Sequence, residues 1–192
     1  DVADINRDGH DDFFIVEMLS RKHSRRQMQR ANYETGIEEP SIAMGLDRPQ
    51  TQRNTLFLNR GDGSYAEIAR MAGLDATEWS WGTVFMDVDL DGWDDVLVAN
   101  GNNHDLLDGD ATIAAMVAMR SAPKNRIPKT LLMYPALETS NLVFRNKGDL
   151  TFEDMSKSWG FDEIGISQGI CLADLDRDGD LDVVLNLSLI HI

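Results

Sequence analysis

Residues 87–100 read D-V-D-L-D-G-W-D-D-V-L-V-A-N, an acidic turn that runs directly into an apolar segment. The same nine-residue pattern, D-x-[D/N]-x-D-G-x-x-D, occurs at residues 4–12 and 174–182. β-Forming residues follow each copy, which predicts that the turn joins two strands. The three copies begin 83 and 87 residues apart, and a repeat of this length is typical of a propeller or a solenoid.

Oxygen atoms at alternating positions of each loop suit calcium, which takes six to eight oxygen ligands. Positions one, three, five and nine offer side-chain oxygens, position seven offers a backbone carbonyl, and glycine at position six permits the sharp turn. An acidic turn without metal is the alternative, and magnesium fits less well because it demands tighter octahedral geometry. The sequence therefore predicts about three Ca²⁺ ions as cofactors. The predicted ligands are Asp4, Asn6, Asp8, His10 and Asp12 in site one, Asp87, Asp89, Asp91, Trp93 and Asp95 in site two, and Asp174, Asp176, Asp178, Asp180 and Asp182 in site three.

The loops differ from EF-hands, although their first halves agree with that motif. An EF-hand loop needs Glu at position twelve, where this chain has Ile15, Val98 and Leu185. The aspartate at position nine is predicted to close each site instead. Because each loop ties one strand to the next, we expect the metals to have a structural role.

A second repeated motif follows the first. Residues 54–67 (N-T-L-F-L-N-R-G-D-G-S-Y-A-E) match residues 141–154 (N-L-V-F-R-N-K-G-D-L-T-F-E-D), and both copies contain the Asn, Gly and Asp of a tight hairpin turn. Each repeat therefore predicts four strands. The sequence predicts an all-β fold over residues 1–186: a partial β-propeller of about two and a half four-stranded antiparallel blades. Blade A covers residues 1–70, blade B residues 80–156, and half of blade C residues 166–186.

Two insertions interrupt the repeats between the second and third strands, at residues 20–52 and 102–140. The first begins with a basic stretch that predicts a helix, either as a solvated face that packs near acidic loops or as a contact for an anionic ligand. The second is rich in Ala, Met and Ile at residues 111–120, which also predicts a helix.

The overall charge restricts the partners. Acidic residues outnumber basic ones 33 to 18, which gives a formal net charge of −15 and argues against nucleic acid. Of the 33 acids, 14 lie in the three loops, where they repel one another without a counter-ion. The lone cysteine, Cys171, excludes an internal disulfide and is predicted to be a small core residue because it lies in an apolar run. No apolar run reaches the length of a membrane span.

We expect both ends of the chain to be incomplete. Residue 1 lies inside a motif, and no signal segment precedes it. Residues 187–192, L-S-L-I-H-I, are encoded by CTGTCTCTTATACACATC, a transposase adapter string of sequencing libraries, so we expect this tail to be derived from an adapter.

The motifs resemble the FG-GAP/VCBS repeat family. The resemblance rests on the acidic loop followed by V-V-L-N at residues 183–186 and on N-x-G-D-x-x-F-x-D at residues 146–154. Together with W-S-W-G at residues 79–82 and the helical insertions, these features look closest to bacterial extracellular proteins related to cartilage acidic protein, which often carry an ASPIC/UnbV module. The resemblance implies an integrin-alpha-type propeller of about seven blades, a secreted, periplasmic or cell-surface location, and a binding role. The remaining blades are then partners of this segment.

The propeller topology separates two surfaces. The acidic loops and the Asn-Gly-Asp turns lie at one edge of each blade, and the insertions lie at the opposite edge, where long connections usually carry binding. For two residues at this edge, Trp79 and Trp81, packing between blades is the alternative role. Arg60-Gly61-Asp62 spells an adhesion tripeptide, but the repeat itself requires a turn there. The predicted ligand contacts are Trp79, Trp81, Asn102, Asn103 and His104.

These features favour a non-enzymatic, calcium-binding extracellular propeller that binds a protein or glycan. The alternative is the propeller portion of a polysaccharide-degrading enzyme, because abundant carboxylates leave a catalytic pair open. A third possibility is a structural spacer in a larger surface protein. The sequence contains no nucleophile elbow and no zinc signature.

Overall fold

The computed structural model describes residues 1–34, 52–121 and 130–187. These ranges contain twelve β-strands and three α-helices. The helices are α1 (His23–Glu34), α2 (Ala69–Ala72) and α3 (Gly109–Ser121). The strands are β1 (Val2–Ala3), β2 (Asp12–Ile15), β3 (Thr55–Asn59), β4 (Tyr65–Glu67), β5 (Ser80–Met86), β6 (Asp95–Asn100), β7 (Thr139–Ser140), β8 (Leu142–Asn146), β9 (Phe152–Asp154), β10 (Ile164–Gly165), β11 (Ser167–Ala173) and β12 (Asp182–Leu187).

Two antiparallel four-stranded sheets and one two-stranded sheet follow the repeat. The first has the order β1-β2-β3-β4, the second β5-β6-β8-β9, and the third pairs β11 with β12. Consecutive strands in each sheet are hydrogen-bonded neighbours, as expected for up-and-down propeller blades. The predicted all-β class and partial propeller architecture are confirmed.

The main core lies between the faces of the two four-stranded sheets. Phe14 and Leu56 of the first sheet pack in one cluster with Phe85, Val96 and Phe144 of the second. All six residues of β6 are buried, which explains its nearly continuous apolar sequence. Fully burying side chains of this size contributes roughly 1.5–3 kcal/mol each, so blade-to-blade packing is a major source of stability.

The third sheet continues this packing. Gly82 of β5 lies against Ile170 of β11, close enough that a Cβ on Gly82 would stand 3.2 Å from the isoleucine methyl group. Because neighbouring residues of a strand point to opposite faces, Cys171 points away from that contact and is exposed. The prediction that Cys171 is a core residue is therefore wrong.

Both insertions contain a helix. Helix α1 lies in the first insertion and α3 in the second, and the two helices contact each other. Residues 35–51 and 122–129 of the insertions, and residues 188–192 of the expected tail, lie outside the described residues. The sequence did not predict α2, or the short ladder in which β7 pairs with β10.

Candidate metal-binding loops

The aspartate at position one organises the first half of loops one and two. In loop two, Asp87 accepts hydrogen bonds from the backbone amides of Asp91 (3.0 Å) and Gly92 (2.8 Å). In loop one, Asp4 accepts equivalent bonds from the amides at positions five and six, at 3.0 Å and 2.8 Å. These bonds fold each of the two loops back on its first residue.

The loop backbone is left-handed at two positions. The glycine at position six has φ between 86° and 101° in the three loops, in agreement with the requirement for glycine there. Position four is also left-handed, with φ of 59° at Arg7, 58° at Leu90 and 65° at Arg177. A side-chain-bearing residue pays roughly 1–2 kcal/mol for this conformation, which the capping bonds offset. The residue types at position four do not predict this left-handed conformation.

The aspartate at position nine joins the two repeated motifs. Asp95 accepts hydrogen bonds from the amide of Val88 in its own loop (3.0 Å) and from the amide of Asn146 at the end of β8 (2.8 Å). Asp12 does the same in loop one, at 3.1 Å and 2.7 Å. Asp182 accepts the loop bond in the third copy at 2.9 Å. Position nine is therefore a structural link as well as a predicted ligand.

Burial makes the position-nine carboxylates of loops one and two costly to ionise. Asp12 and Asp95 are fully buried. Burial raises the pKa of Asp95 to about 6, against two amide hydrogen bonds that lower it, and the nearby charges of Asp89 and Asp91 raise it further. Burial likewise raises the pKa of Asp12. A bound cation relieves this penalty because it favours the ionised form.

The structure brings together three carboxylates in each of two loops. Oxygen atoms of Asp87, Asp89 and Asp95 lie within 4.8 Å of one another. The third loop forms a second cluster with the same spacing limit, made of the carboxylates at its positions one, three and five. A donor set made only of oxygen fits a hard divalent cation. All fifteen ligand assignments stay predictions. The clusters do not include Asp91, Trp93, Asp180, Asp182 or the five residues of site one, where the side-chain amide of Asn6 donates to Asp8 at 2.9 Å.

A positively charged side chain that the sequence did not predict, that of Arg145, contacts loop two. The Nε atom of Arg145 lies 2.6 Å from Asp89 Oδ2, although it is not aligned for a hydrogen bond. The Nη2 atom donates to Asp91 Oδ2 at 2.7 Å. Both carboxylates are predicted calcium ligands. The signal was present in the second repeated motif, where Arg145 stands in the place of Leu58.

Neighbouring loops also contact each other. The guanidinium of Arg7 in loop one lies over the ring of Trp93 in loop two, 5.3 Å from its centroid. The side-chain amide of Asn146 donates to the carbonyl of Ile5 at 2.9 Å and so links blade B to loop one of blade A. The loop-bearing edge therefore fastens one blade to the next.

The predicted ligand contacts lie at the opposite edge, in different environments. Trp79 is buried, with 8% of its surface exposed, whereas Trp81 is 46% exposed and donates its indole N–H to the carbonyl of Gly101 at 2.6 Å. Asn102 donates to the carbonyl of His104 at 3.0 Å and accepts from the amide of Asn103. Of the two tryptophans, only Trp81 is available to a ligand in solution.

Buried charges fix the basic helix at this edge. Arg25 of α1 donates to Asp105 at 2.5 Å and lies 3.8 Å from Glu78. Glu78 also accepts from the hydroxyl of Ser20 at 2.7 Å and has a left-handed backbone, with φ of 75°. Arg21 pairs with Asp154 at 2.7 Å. Two basic residues of the helical insertion are thus committed to acidic partners in the fold.

Antiparallel four-stranded blades, each with an acidic loop between its first two strands, define a β-propeller-type repeat protein. The FG-GAP-like repeat family matches residues 42–98 and 132–185, more than half of the chain, and the chain belongs to this family. It is also similar to cartilage acidic protein 1 of Xenopus tropicalis, with 47% identity over 45 residues. That stretch covers 23% of this chain and 7% of the relative. Within the part of the chain that the structure describes, no helix has the length and apolar character that a membrane span requires.

Proposed function

We propose that this chain is part of a calcium-binding extracellular β-propeller that binds a protein or glycan without catalysing a reaction. The observation that carries the proposal is the clustering of carboxylate oxygens within 4.8 Å in two loops of the same repeated design. One member of the loop-two cluster, Asp95, is fully buried and has a raised pKa, so a cation there relieves a cost of the fold.

Calcium in these loops has a structural role. The side chains at positions one, three, five and nine hold the ion, and the ion neutralises the repulsion between them. Because position nine is hydrogen-bonded to the end of the third strand, a filled site stabilises the whole blade as well as the turn. Binding to the folded chain alone stabilises it by mass action. Equilibrium dialysis of the chelator-treated chain against calcium is expected to give about three bound ions per chain, and fewer than one would contradict the proposal.

A secreted, periplasmic or cell-surface location is supported by the family and by the similarity to cartilage acidic protein 1. Millimolar extracellular calcium also suits loops of low affinity, which extracellular modules commonly use.

The partner is expected at the insertion-bearing edge, where half of Trp81 is exposed beside the second insertion. An exposed tryptophan supplies a large contact area to a sugar ring or an apolar side chain. A glycan array combined with an activity screen on polysaccharides tests this part of the proposal. We expect binding that Trp81→Ala weakens, with no change in the glycan. Cleavage of a bound polysaccharide would instead support the enzymatic alternative.

A further inference from the structure

Arg145 gives loop two an internal cation. Its guanidinium reaches across from β8 to two carboxylates of the loop, at 2.6 Å from Asp89 and 2.7 Å from Asp91. The guanidinium of an arginine keeps its charge throughout the pH range in which proteins are folded, so this positive charge is permanent. The contact is a forked one, because different nitrogen atoms meet different carboxylates.

The first repeat provides a natural comparison. Arg145 pairs across the hairpin with Glu153, and Leu58 occupies the corresponding place opposite Ala66. Leu58 packs against the core between the blades and brings no charge to loop one. Loops one and two therefore share their capping and position-nine hydrogen bonds but differ in their resident charge.

We propose that Arg145 is a built-in counter-cation of site two, which holds Asp89 and Asp91 in place in the metal-free protein and lowers the affinity of that site for calcium. The inference rests on the proposed calcium-binding function and concerns how one of its sites is tuned. An ion that enters the loop has to take oxygen atoms away from the guanidinium, or bind beside a second positive charge that repels it. Either route weakens binding.

The arrangement makes the sites unequal. Among the described residues, no arginine or lysine forms an ion pair with the ligand carboxylates of site one, so its loop is expected to depend more strongly on calcium. Site two keeps a positive charge beside two of its carboxylates without metal, so blade B is expected to keep its loop when calcium is scarce. Site two consequently fills at a higher calcium concentration than it would without Arg145.

The test compares Arg145→Leu, which installs the residue of the first repeat, with Arg145→Lys, which keeps the charge but not the fork. Lys147→Leu is the matched control, because it removes a positive charge two residues away that pairs with Asp149 rather than with the loop. Calcium affinity is measured on the chelator-treated 192-residue chain by displacement of terbium, whose luminescence is excited through Trp93 at position seven of loop two. Loss of the signal in Asp87→Asn assigns it to site two.

Arg145→Leu is expected to tighten calcium binding at site two by about tenfold and to lower the melting temperature in excess chelator, since two ion pairs are lost. Arg145→Lys falls between the wild type and Arg145→Leu, and Lys147→Leu changes neither quantity. Calcium binding that stays within twofold of the wild type in both Arg145 variants would overturn the inference and leave the proposed calcium function intact. No calcium binding by any form of the chain would overturn both. If Arg145→Leu does not fold, Arg145→Lys decides the outcome by the same criterion.

Discussion

The two edges of the blades are stabilised in different ways. At the loop-bearing edge the same contacts recur from blade to blade. Asp12 and Asp95 each accept one hydrogen bond from a backbone amide of the loop and one from a backbone amide at the end of the blade's third strand. At the insertion-bearing edge the contacts do not recur from blade to blade. An example is the pair of ionic contacts that Arg25 makes with Asp105 and Glu78. Contacts that recur in each blade preserve the scaffold. Contacts that differ between blades allow that edge to acquire a specific partner.

Among single substitutions, the largest expected effect is at the insertion-bearing edge. Trp79→Ala removes a buried side chain and is expected to lower the free energy of unfolding by about 3–5 kcal/mol. Trp81→Ala serves as the matched control, because it changes the same residue type two positions later on a half-exposed side chain. It is expected to cost about 1 kcal/mol, mainly the indole hydrogen bond. Urea unfolding measures the free energy of unfolding of both variants, and equal losses would contradict the difference in burial between the two side chains.

The next largest effect is at the loop-bearing edge. Asp95→Ala leaves the amides of Val88 and Asn146 without their acceptor and is expected to cost about 2–4 kcal/mol in excess chelator. Asp94→Ala removes the neighbouring carboxylate, whose pKa is raised by burial, and is expected to leave stability unchanged or slightly higher. If the two variants unfold at the same urea concentration, position nine is not the link between the repeated motifs.

A smaller effect follows from the titration of Asp95. Its pKa in the metal-free fold is about 6, above the usual value of 3.8, so the folded chain binds this proton more tightly than the unfolded chain does. This contribution to stability is full below about pH 4 and is lost as the pH rises through 6. Between pH 7 and pH 5 we expect a gain of about 1 kcal/mol in excess chelator. Asp95→Asn should remove this gain, and a wild-type chain that loses stability over the same interval would contradict the assignment.

The repeat made the scaffold predictable. Loops of fixed length, apolar runs after each loop and Asn-Gly-Asp turns specify local geometry, so the sheets at β5-β6-β8-β9 and β11-β12 follow from sequence periodicity. The clustering of Asp87, Asp89 and Asp95 follows for the same reason, since all three lie in one short loop.

Contacts between distant segments were not predictable in the same way. The pairing of β7 with β10 and the hydrogen bond from Asn146 to Ile5 join residues far apart in the chain, and no local pattern encodes them. The exposure of Cys171 depends on which face of β11 meets blade B. Arg145 was predictable in part. Comparison of the repeats shows a charged residue in place of Leu58, but it does not show which residues the charge contacts.

The central claim is that calcium in the three loops holds the blades together, and calorimetry with and without calcium tests it most directly. The chain is first stripped with chelator, and melting is then recorded in excess chelator, in excess calcium, and in magnesium at the same concentration. At a calcium concentration 100 times the dissociation constant, each filled site is expected to raise the melting temperature on the order of 5–10 °C. Magnesium is expected to give a much smaller rise, because it requires a tighter octahedral site. An identical melting curve in calcium and in chelator would contradict the account.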